Sequence, residues 1–240
     1  MTEVLALERV TKSFGAVRAA DGVSLSVGAR QVLGVIGPNG AGKTTVFNLI
    51  GGDVRADAGT IRFRGEDITR LAPHERCRRG IGRSYQIPHP FGGMTVYENL
   101  LVAACFGGGQ GERAAAPVCR EILESTGLAE KANRLAGSLG LLDRKRLELG
   151  RALATGPALL LLDEIAGGLT EAESAELVAL IRRIKARGVA MIWIEHVVHA
   201  LLAVADRLLV MNSGATLAEG EPAAVMADRE VRRIYLGIEA

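Results

Sequence analysis

The chain has 240 residues, 48% of them hydrophobic and 23% charged, with a formal net charge of +2. That length can bury one sizeable core, while the near balance of charge, with no basic tail and no acidic block, argues neither for nor against nucleic acid. Three cysteines (Cys77, Cys105, Cys119) without C-x-x-C spacing give neither a disulfide framework nor a zinc site, no signal pattern opens the chain, and no apolar run approaches the roughly 20 residues that cross a bilayer.

Val4 to Val10 alternates apolar with polar residues, as a half-buried strand does. Thr11 to Gly15 reads as a turn, and Val23 to Val27 alternates again. With Gly59 to Gly65 these segments predict an antiparallel sheet. Phe14 is an exposed-looking aromatic in the turn. It packs ordinarily or stacks on a nucleotide base, and a phosphate-binding loop at residues 37–45 favours stacking.

Val32-Leu33-Gly34-Val35-Ile36 is an apolar run that reads as a buried strand. Val46 to Ile50 suits a helix that stops at Gly51-Gly52. Between them lies Gly37-Pro38-Asn39-Gly40-Ala41-Gly42-Lys43-Thr44-Thr45, the pattern G-x-x-x-x-G-K-[ST] of a P-loop. Its glycines let the backbone wrap an anion with inward N–H groups, and the new helix adds its positive end. Lys43 is placed as a point charge on the β- and γ-phosphates. The Thr44 hydroxyl suits Mg²⁺, and Thr45 adds a phosphate contact.

Leu71 to Arg79 carries helical charges, and Arg76, Arg78, Arg79 and Arg83 form a basic cluster that reads as a solvated face. Ile81 to Gln86 is a short strand ending in a polar residue. Pro88, Pro90 and Gly92-Gly93 break regular structure. Thr95 caps a helix from Val96, with Glu98 at the capping-box position. Amphipathic segments around 116–126 and 143–155 make residues 88–155 a mostly helical insertion in an α/β core.

Ala158-Leu159-Leu160-Leu161-Leu162-Asp163-Glu164 is a buried strand ending in two carboxylates, a Walker B pattern. Asp163 is placed to hold Mg²⁺ through its water shell and Glu164 to polarise the attacking water. Glu171 to Arg187 has helical spacing and ends at Gly188. Val189 to Glu195 is another buried strand, with His196 at its end, where ligands of α/β sheets collect; that position points to a γ-phosphate contact. Arg207–Met211 and Thr216–Glu219 read as a hairpin about Asn212-Ser213-Gly214, and Pro222 to Leu236 as helix.

Together these residues resemble the nucleotide-binding subunit of an ATP-binding cassette (ABC) transporter over nearly the whole chain. The P-loop at 37–45, Gln86 after a short strand, 158–164 and His196 fall in the family's order and spacing. The resemblance implies one ABC ATPase domain over 1–240: a P-loop NTPase core with an antiparallel β subdomain (1–87 and 156–240) and an inserted helical subdomain (88–155). It implies ATP and Mg²⁺ as ligands, with Thr44, Asp163 and Gln86 on the metal side. Phe14 becomes the adenine-stacking aromatic, Gln86 the Q-loop residue that senses Mg²⁺ and the lytic water, Glu164 the catalytic carboxylate and His196 the switch histidine.

Finer features look like the branched-chain (hydrophobic) amino acid uptake family. These are Gln86 to Phe91, Arg144 to Leu149, the Leu-Leu-Leu-Asp-Glu-x-x-x-Gly-Leu pattern at 160–169, and the tail from Val231 with Tyr235-Leu236-Gly237. The absence of a fused membrane domain before the cassette agrees with importer subunits. The family implies two membrane-spanning permease subunits, a second ATPase subunit, a periplasmic solute-binding protein and no nucleic acid. It places the chain on the cytoplasmic face of the inner membrane, held there through the permeases. A soluble ABC ATPase acting on ribosomes or DNA, and a nucleotide-binding regulatory module with little turnover, are the competing readings.

One segment departs from the family. The ABC signature, Leu-Ser-Gly-Gly-Gln in most members, aligns with Leu139-Gly140-Leu141-Leu142-Asp143 when set against Arg146-Leu147-Glu148. The serine and both glycines are replaced, unless the loop shifts to use Ser138, and the D-loop aspartate position is Thr170. This predicts a weakened signature, better served in a heterodimer than in a homodimer.

Overall fold

The structure is a computed structural model in which residues 2–236 are described. Gly237, part of the family-like tail, lies outside them.

The chain opens with a long hairpin, β1 (Glu3–Phe14) and β2 (Val17–Gly28). Residues 11–14 are strand rather than turn, because the two-residue turn falls at Gly15-Ala16, where Gly15 takes φ 59°. Then come β3 (Val32–Ile36), α1 (Lys43–Gly51), β4 (Ala58–Phe63), β5 (Glu66–Asp67), α2 (Pro73–Arg79) and β6 (Ile81–Arg83). A helical stretch comes next: α3 (Val96–Val102), a π-helical turn at Ala103–Gly107, α4 (Glu112–Thr126) and α5 (Leu141–Ala154). The chain closes with β7 (Leu159–Asp163), α6 (Glu171–Ala186), β8 (Ala190–Ile194), α7 (Val198–Leu202), β9 (Arg207–Asn212), β10 (Ala215–Gly220), α8 (Pro222–Ala227) and α9 (Arg229–Leu236).

Among the described residues the strands form two sheets. One has the order β2-β1-β4-β5 and is antiparallel; the other has the order β10-β9-β3-β8-β7-β6. In the second, β3, β6, β7, β8 and β9 run parallel, and β10 returns antiparallel on β9. The short β6 ends at Arg83, so Gln86 sits in the loop beyond it; Ser84 N still donates to Leu161 O at 2.9 Å.

The central strands are buried on both faces, which is why they read as continuous apolar runs. Their alternate residues serve two layers. Leu33 and Val35, Leu159 and Leu161, and Ile192 and Ile194 pack with Phe47, Leu49 and Ile50 of α1 and with the antiparallel sheet. Val32 and Ile36, Leu160 and Leu162, and Met191 and Trp193 face Leu177, Ile181 and Ile184 of α6. Helix α1 is thus sandwiched between the sheets, which fixes the P-loop. The helical stretch has its own cluster, with Val96, Leu100, Cys119, Ile122 and Leu147 at its centre. Helix α5 joins it to the core, because Leu149 and Ala152 pack into the α6 layer.

The basic cluster is a solvated face only at Arg78 and Arg79, which are exposed; Arg76 and Arg83 turn inward. Arg76 is 2% exposed, and its guanidinium donates to the carbonyls of Leu49 (2.5 Å), Ile50 (2.9 Å), Thr69 (3.0 Å) and Leu71 (3.0 Å). It satisfies carbonyls left over at the C-terminal end of α1, where no intrahelical donor follows. Arg83 is also largely buried, between two carboxylates.

Candidate functional site

The P-loop leaves β3 with two glycines that no other residue could replace. Gly37 has φ 153°, and a Cβ there would lie 2.2 Å from Met211 O. Gly42 has φ 98°, and its Cβ would lie 2.2 Å from Ala19 O of β2. Asn39 and Gly40 stand at the exposed crest. Gly42 is the N-cap of α1, with no side-chain cap and no acid in the first turn. The first N–H groups of the helix therefore remain for an anion, with the positive helix end behind them.

Lys43 is buried under the loop, and its Nζ donates to Gly37 O (2.7 Å) and Pro38 O (3.0 Å). Burial lowers the Lys43 pKa, and the charges of Glu164 and Asp163 oppose that shift. Thr44 is exposed and Thr45 half-buried at the start of the helix. These groups fit a nucleotide triphosphate and Mg²⁺: a cradle that a Cβ would fill, a buried ammonium, a hydroxyl and a strand-end carboxylate. Among the described residues no group of three or more His, Cys, Asp or Glu side chains could cage a metal. That donor set suits Mg²⁺ bound by few protein oxygens plus phosphates and water.

Asp163 ends β7 and is 5% exposed. Burial raises its pKa, and Arg83 is the main opposing influence. Arg83 Nη2 lies 3.4 Å from Asp163 Oδ2, and Nη1 lies 2.8 Å from Asp53 Oδ2. The same guanidinium sits 4.8 Å from the Tyr85 ring centroid and 5.9 Å from that of Phe47. Its Nε is buried without a partner.

Glu164 follows Asp163 with φ 46°, a strained backbone for a residue with a Cβ. Its N–H donates to Ile194 O at 2.9 Å, fixing it against the end of β8. Gln86 Nε2 donates to Glu164 Oε2 at 2.5 Å, and His196 Nε2 lies 2.7 Å from Glu164 Oε1. Three residues far apart in sequence thus meet at one carboxylate, which shares its electrostatic neighbourhood with Lys43.

Phe14 is 50% exposed at the tip of β1, with Lys12 Nζ 5.4 Å above its ring. The hairpin that carries it touches the P-loop through Ala19.

The departing segment is the N-terminus of α5. Gly140 is its N-cap without a side-chain bond, Leu141 is 47% exposed, and Asp143 pairs with Lys131 (2.5 Å) and Arg146 (3.5 Å). Ser138 does not stand in for the missing hydroxyl at the cap, since its Oγ donates to Leu135 O at 2.8 Å. Thr170 is the N-cap of α6: its Oγ1 accepts from Glu173 N at 3.3 Å, and Glu173 Oε2 accepts from Thr170 N at 2.9 Å. The sequence did not reveal the burial of three charges beside these loops: Arg83, Lys145 and Glu195. Each lies next to a motif residue, but only the fold shows what it touches.

A buried P-loop helix, a parallel sheet and a strand-end carboxylate pair define a nucleotide-binding cassette of the P-loop class. The ABC transporter family model matches residues 20–167, and a second one, "Branched-chain amino acid ATP-binding cassette transporter", matches residues 215–240. The chain belongs to the ABC transporter family and is an ATPase of the transport type. It is 39% identical to the high-affinity branched-chain amino acid transport ATP-binding protein BraF of Pseudomonas aeruginosa, over 98% of each chain. It is 35% identical to the lipopolysaccharide export system ATP-binding protein LptB of Haemophilus influenzae, over 98% of this chain and 97% of that one. A crystal structure of an ABC transporter cassette in its ADP conformation superposes with TM-score 0.91 at 36% identity, over 99% of this chain and all of that one. Among the described residues no helix is long and apolar enough to cross a membrane.

Proposed function

We propose that this chain hydrolyses MgATP to drive uptake of branched-chain or other hydrophobic amino acids. Support for the solute class comes from the relatives named for that transport and from the match at residues 215–240. The observation that carries the catalytic reading is Glu164, held between Gln86 and His196 beside the buried Lys43.

The main-chain N–H groups of residues 39–45 and the Lys43 ammonium grip the phosphates. Two of the three Lys43 N–H donors are held by the carbonyls of Gly37 and Pro38, and the third is left for a phosphate oxygen. Glu164 orients water for in-line attack and accepts its proton, while Gln86 and His196 hold that carboxylate and face the γ-phosphate. Thr44, Asp163 and Gln86 would hold Mg²⁺, which would supply positive charge to the phosphate oxygens. Phe14 stacks on the adenine.

The permease contact is proposed for the groove between α2, β6 and α5. Tyr85 lines it, Phe91 has the Arg151 guanidinium 5.1 Å from its ring centroid, and Phe106 stands 74% exposed on the adjoining π-helical turn that begins at Ala103. Within it Arg151 binds Glu148 at 3.0 Å and His89 O at 2.9 Å, so the groove has a rigid polar floor under an apolar rim. Such an edge fits an apolar partner segment. Two permease subunits, a second ATPase subunit and a solute-binding protein complete the transporter. The chain then sits on the cytoplasmic face of the membrane through the permeases. The second ATPase subunit is a different chain, because the leucines and Asp143 at the start of α5 make a poor cap for another subunit's phosphate.

The test has two readouts. The full chain should bind ATP with Mg²⁺-dependent affinity by calorimetry, and Lys43→Ala should abolish it. In cells deleted for the chain, labelled leucine uptake should return with the wild type and not with Lys43→Ala. Wild-type binding without any uptake phenotype would remove the amino-acid assignment and favour export, as in the LptB relative. A wild-type chain that binds no nucleotide would remove the whole reading.

A further inference from the structure

Glu195 immediately follows β8, is 1% exposed and takes no part in the proposed reaction. Its carboxylate accepts three main-chain bonds. Oε1 accepts from Ala166 N at 2.7 Å; Oε2 accepts from His196 N at 2.9 Å and from Val197 N at 3.2 Å. One donor lies two residues after Glu164. The other two belong to His196 and the residue beyond it. Both loops have just left the parallel sheet, where ladder partners end, so these N–H groups depend on a side chain.

We infer that Glu195 is the positioning residue that locks the loop carrying Glu164 to the loop carrying His196, so that the two side chains meet. The inference rests on the proposed ATPase reaction. A carboxylate presents four acceptor lobes and no donor, so one group fills three orphan N–H positions at once. The strained φ of Glu164 needs this kind of support, because nothing local favours it. A third element joins from α5: Lys145 is buried, its Nζ lies 3.5 Å from Glu164 O, and its charge faces those of Glu195 and Glu164. The buried Glu195 carboxylate thus has a countercharge on α5, the helix capped by Gly140.

The chemistry gives a sharp substitution. Glu195→Gln keeps size and shape but turns one oxygen into an NH₂ donor. Whichever way the amide faces, it sets a donor against Ala166 N–H or against the N–H pair of His196 and Val197. The loops then separate while the P-loop, which shares none of these bonds, is untouched.

In the full chain assembled with its second ATPase subunit, with protein in excess over ATP, Glu195→Gln should slow single-turnover hydrolysis by at least about tenfold, as expected for a displaced reacting group. MgATP affinity should stay within about twofold, since the P-loop amides and Lys43, which carry most of the phosphate grip, share none of the Glu195 bonds and are unmoved. Trp193, the only tryptophan, lies two residues away and reports local unfolding by its emission. His196→Ala supplies the control for a merely structural effect. If Glu195 acts through the His196–Glu164 contact, Glu195→Gln should cost under about threefold in the His196→Ala background, a non-additive cycle. Equal losses in both backgrounds would overturn the inference, as would an unchanged rate in the single variant. A joint loss of hydrolysis, MgATP affinity and melting temperature in Glu195→Gln would also overturn it. A wild-type chain that fails to bind MgATP would defeat the proposed function instead.

Discussion

Glu164 Oε1 lies 2.7 Å from His196 Nε2, while Gln86 Nε2 donates to its other oxygen at 2.5 Å. Both carboxylate oxygens are engaged by side chains from loops that leave two other strands. A base held this way has one orientation, and each oxygen keeps a further lone pair for water. Glu164→Gln keeps the hydrogen-bond geometry toward His196 only if the amide oxygen faces that way. It cannot accept a proton from water in either orientation. Hydrolysis should fall about 10²–10⁴-fold with MgATP binding retained, measured by phosphate release and by calorimetry on the same preparation. Turnover within a few-fold of wild type would move the base elsewhere.

Arg76 illustrates a buried cation that serves carbonyls rather than an acid. Its guanidinium answers Leu49, Ile50, Thr69 and Leu71, tying the end of α1 to α2. Arg76→Met removes all of those donors and leaves buried acceptors behind. We expect a loss of about 3 kcal/mol or more, seen as a melting point lower by roughly 6 °C or more for a chain of this size. Arg78→Met, two residues on and exposed, should shift it little.

The legible parts of the chain were those whose chemistry is local. The P-loop declares itself because its glycines, lysine and flanking strand and helix are contiguous. The box at Thr95 and Glu98 forms as the spacing requires, with Glu98 N donating to Thr95 Oγ1 at 3.1 Å. The central strands were found because burial on both faces removes polar residues. The misread parts depend on distant partners. Arg76 looks solvated until the end of α1 is seen to need donors. Residues 11–14 look like a turn because Thr, Lys and Ser favour turns, yet β2 pairs with them across a two-residue turn at Gly15. Glu195 reads as the last residue of a strand, and only the crossing of two loops reveals its three N–H partners.

Arg83 ties Asp163 to the groove floor and sets a pH-dependent prediction. Burial raises the Asp163 pKa, and Arg83 pulls it back. An acid whose folded pKa is raised contributes stability that is full at low pH and lost as pH rises through the folded value. Arg83→Met removes the opposing charge, so the Asp163 pKa should rise further and the loss at neutral pH should grow. The gap in melting temperature between wild type and Arg83→Met should therefore widen from pH 5 to pH 7.5. A constant gap would mean that Arg83 acts through Asp53 and through packing on Tyr85 and Phe47, and not through Asp163. The Mg²⁺ dependence of nucleotide affinity should change in the same variant, because its neighbour is the proposed metal-side carboxylate.

Thr170 separates helix capping from nucleotide chemistry at one position. Its hydroxyl accepts from Glu173 N, and Glu173 Oε2 accepts from Thr170 Oγ1 at 2.8 Å. Thr170→Ala should cost about 1 kcal/mol of stability through the lost cap. Thr170→Asp replaces one good N-cap by another, and its charge also suits the positive end of α6, so the melting point should stay within a degree or two of wild type. The aspartate variant also restores the residue that the family resemblance places here. If that acid matters in the assembled pair of ATPase subunits, Thr170→Asp should change turnover of the complex at unchanged stability, and Thr170→Ala should lower stability at nearly unchanged turnover. Parallel changes in both quantities for both variants would show that capping alone sets the identity of this residue.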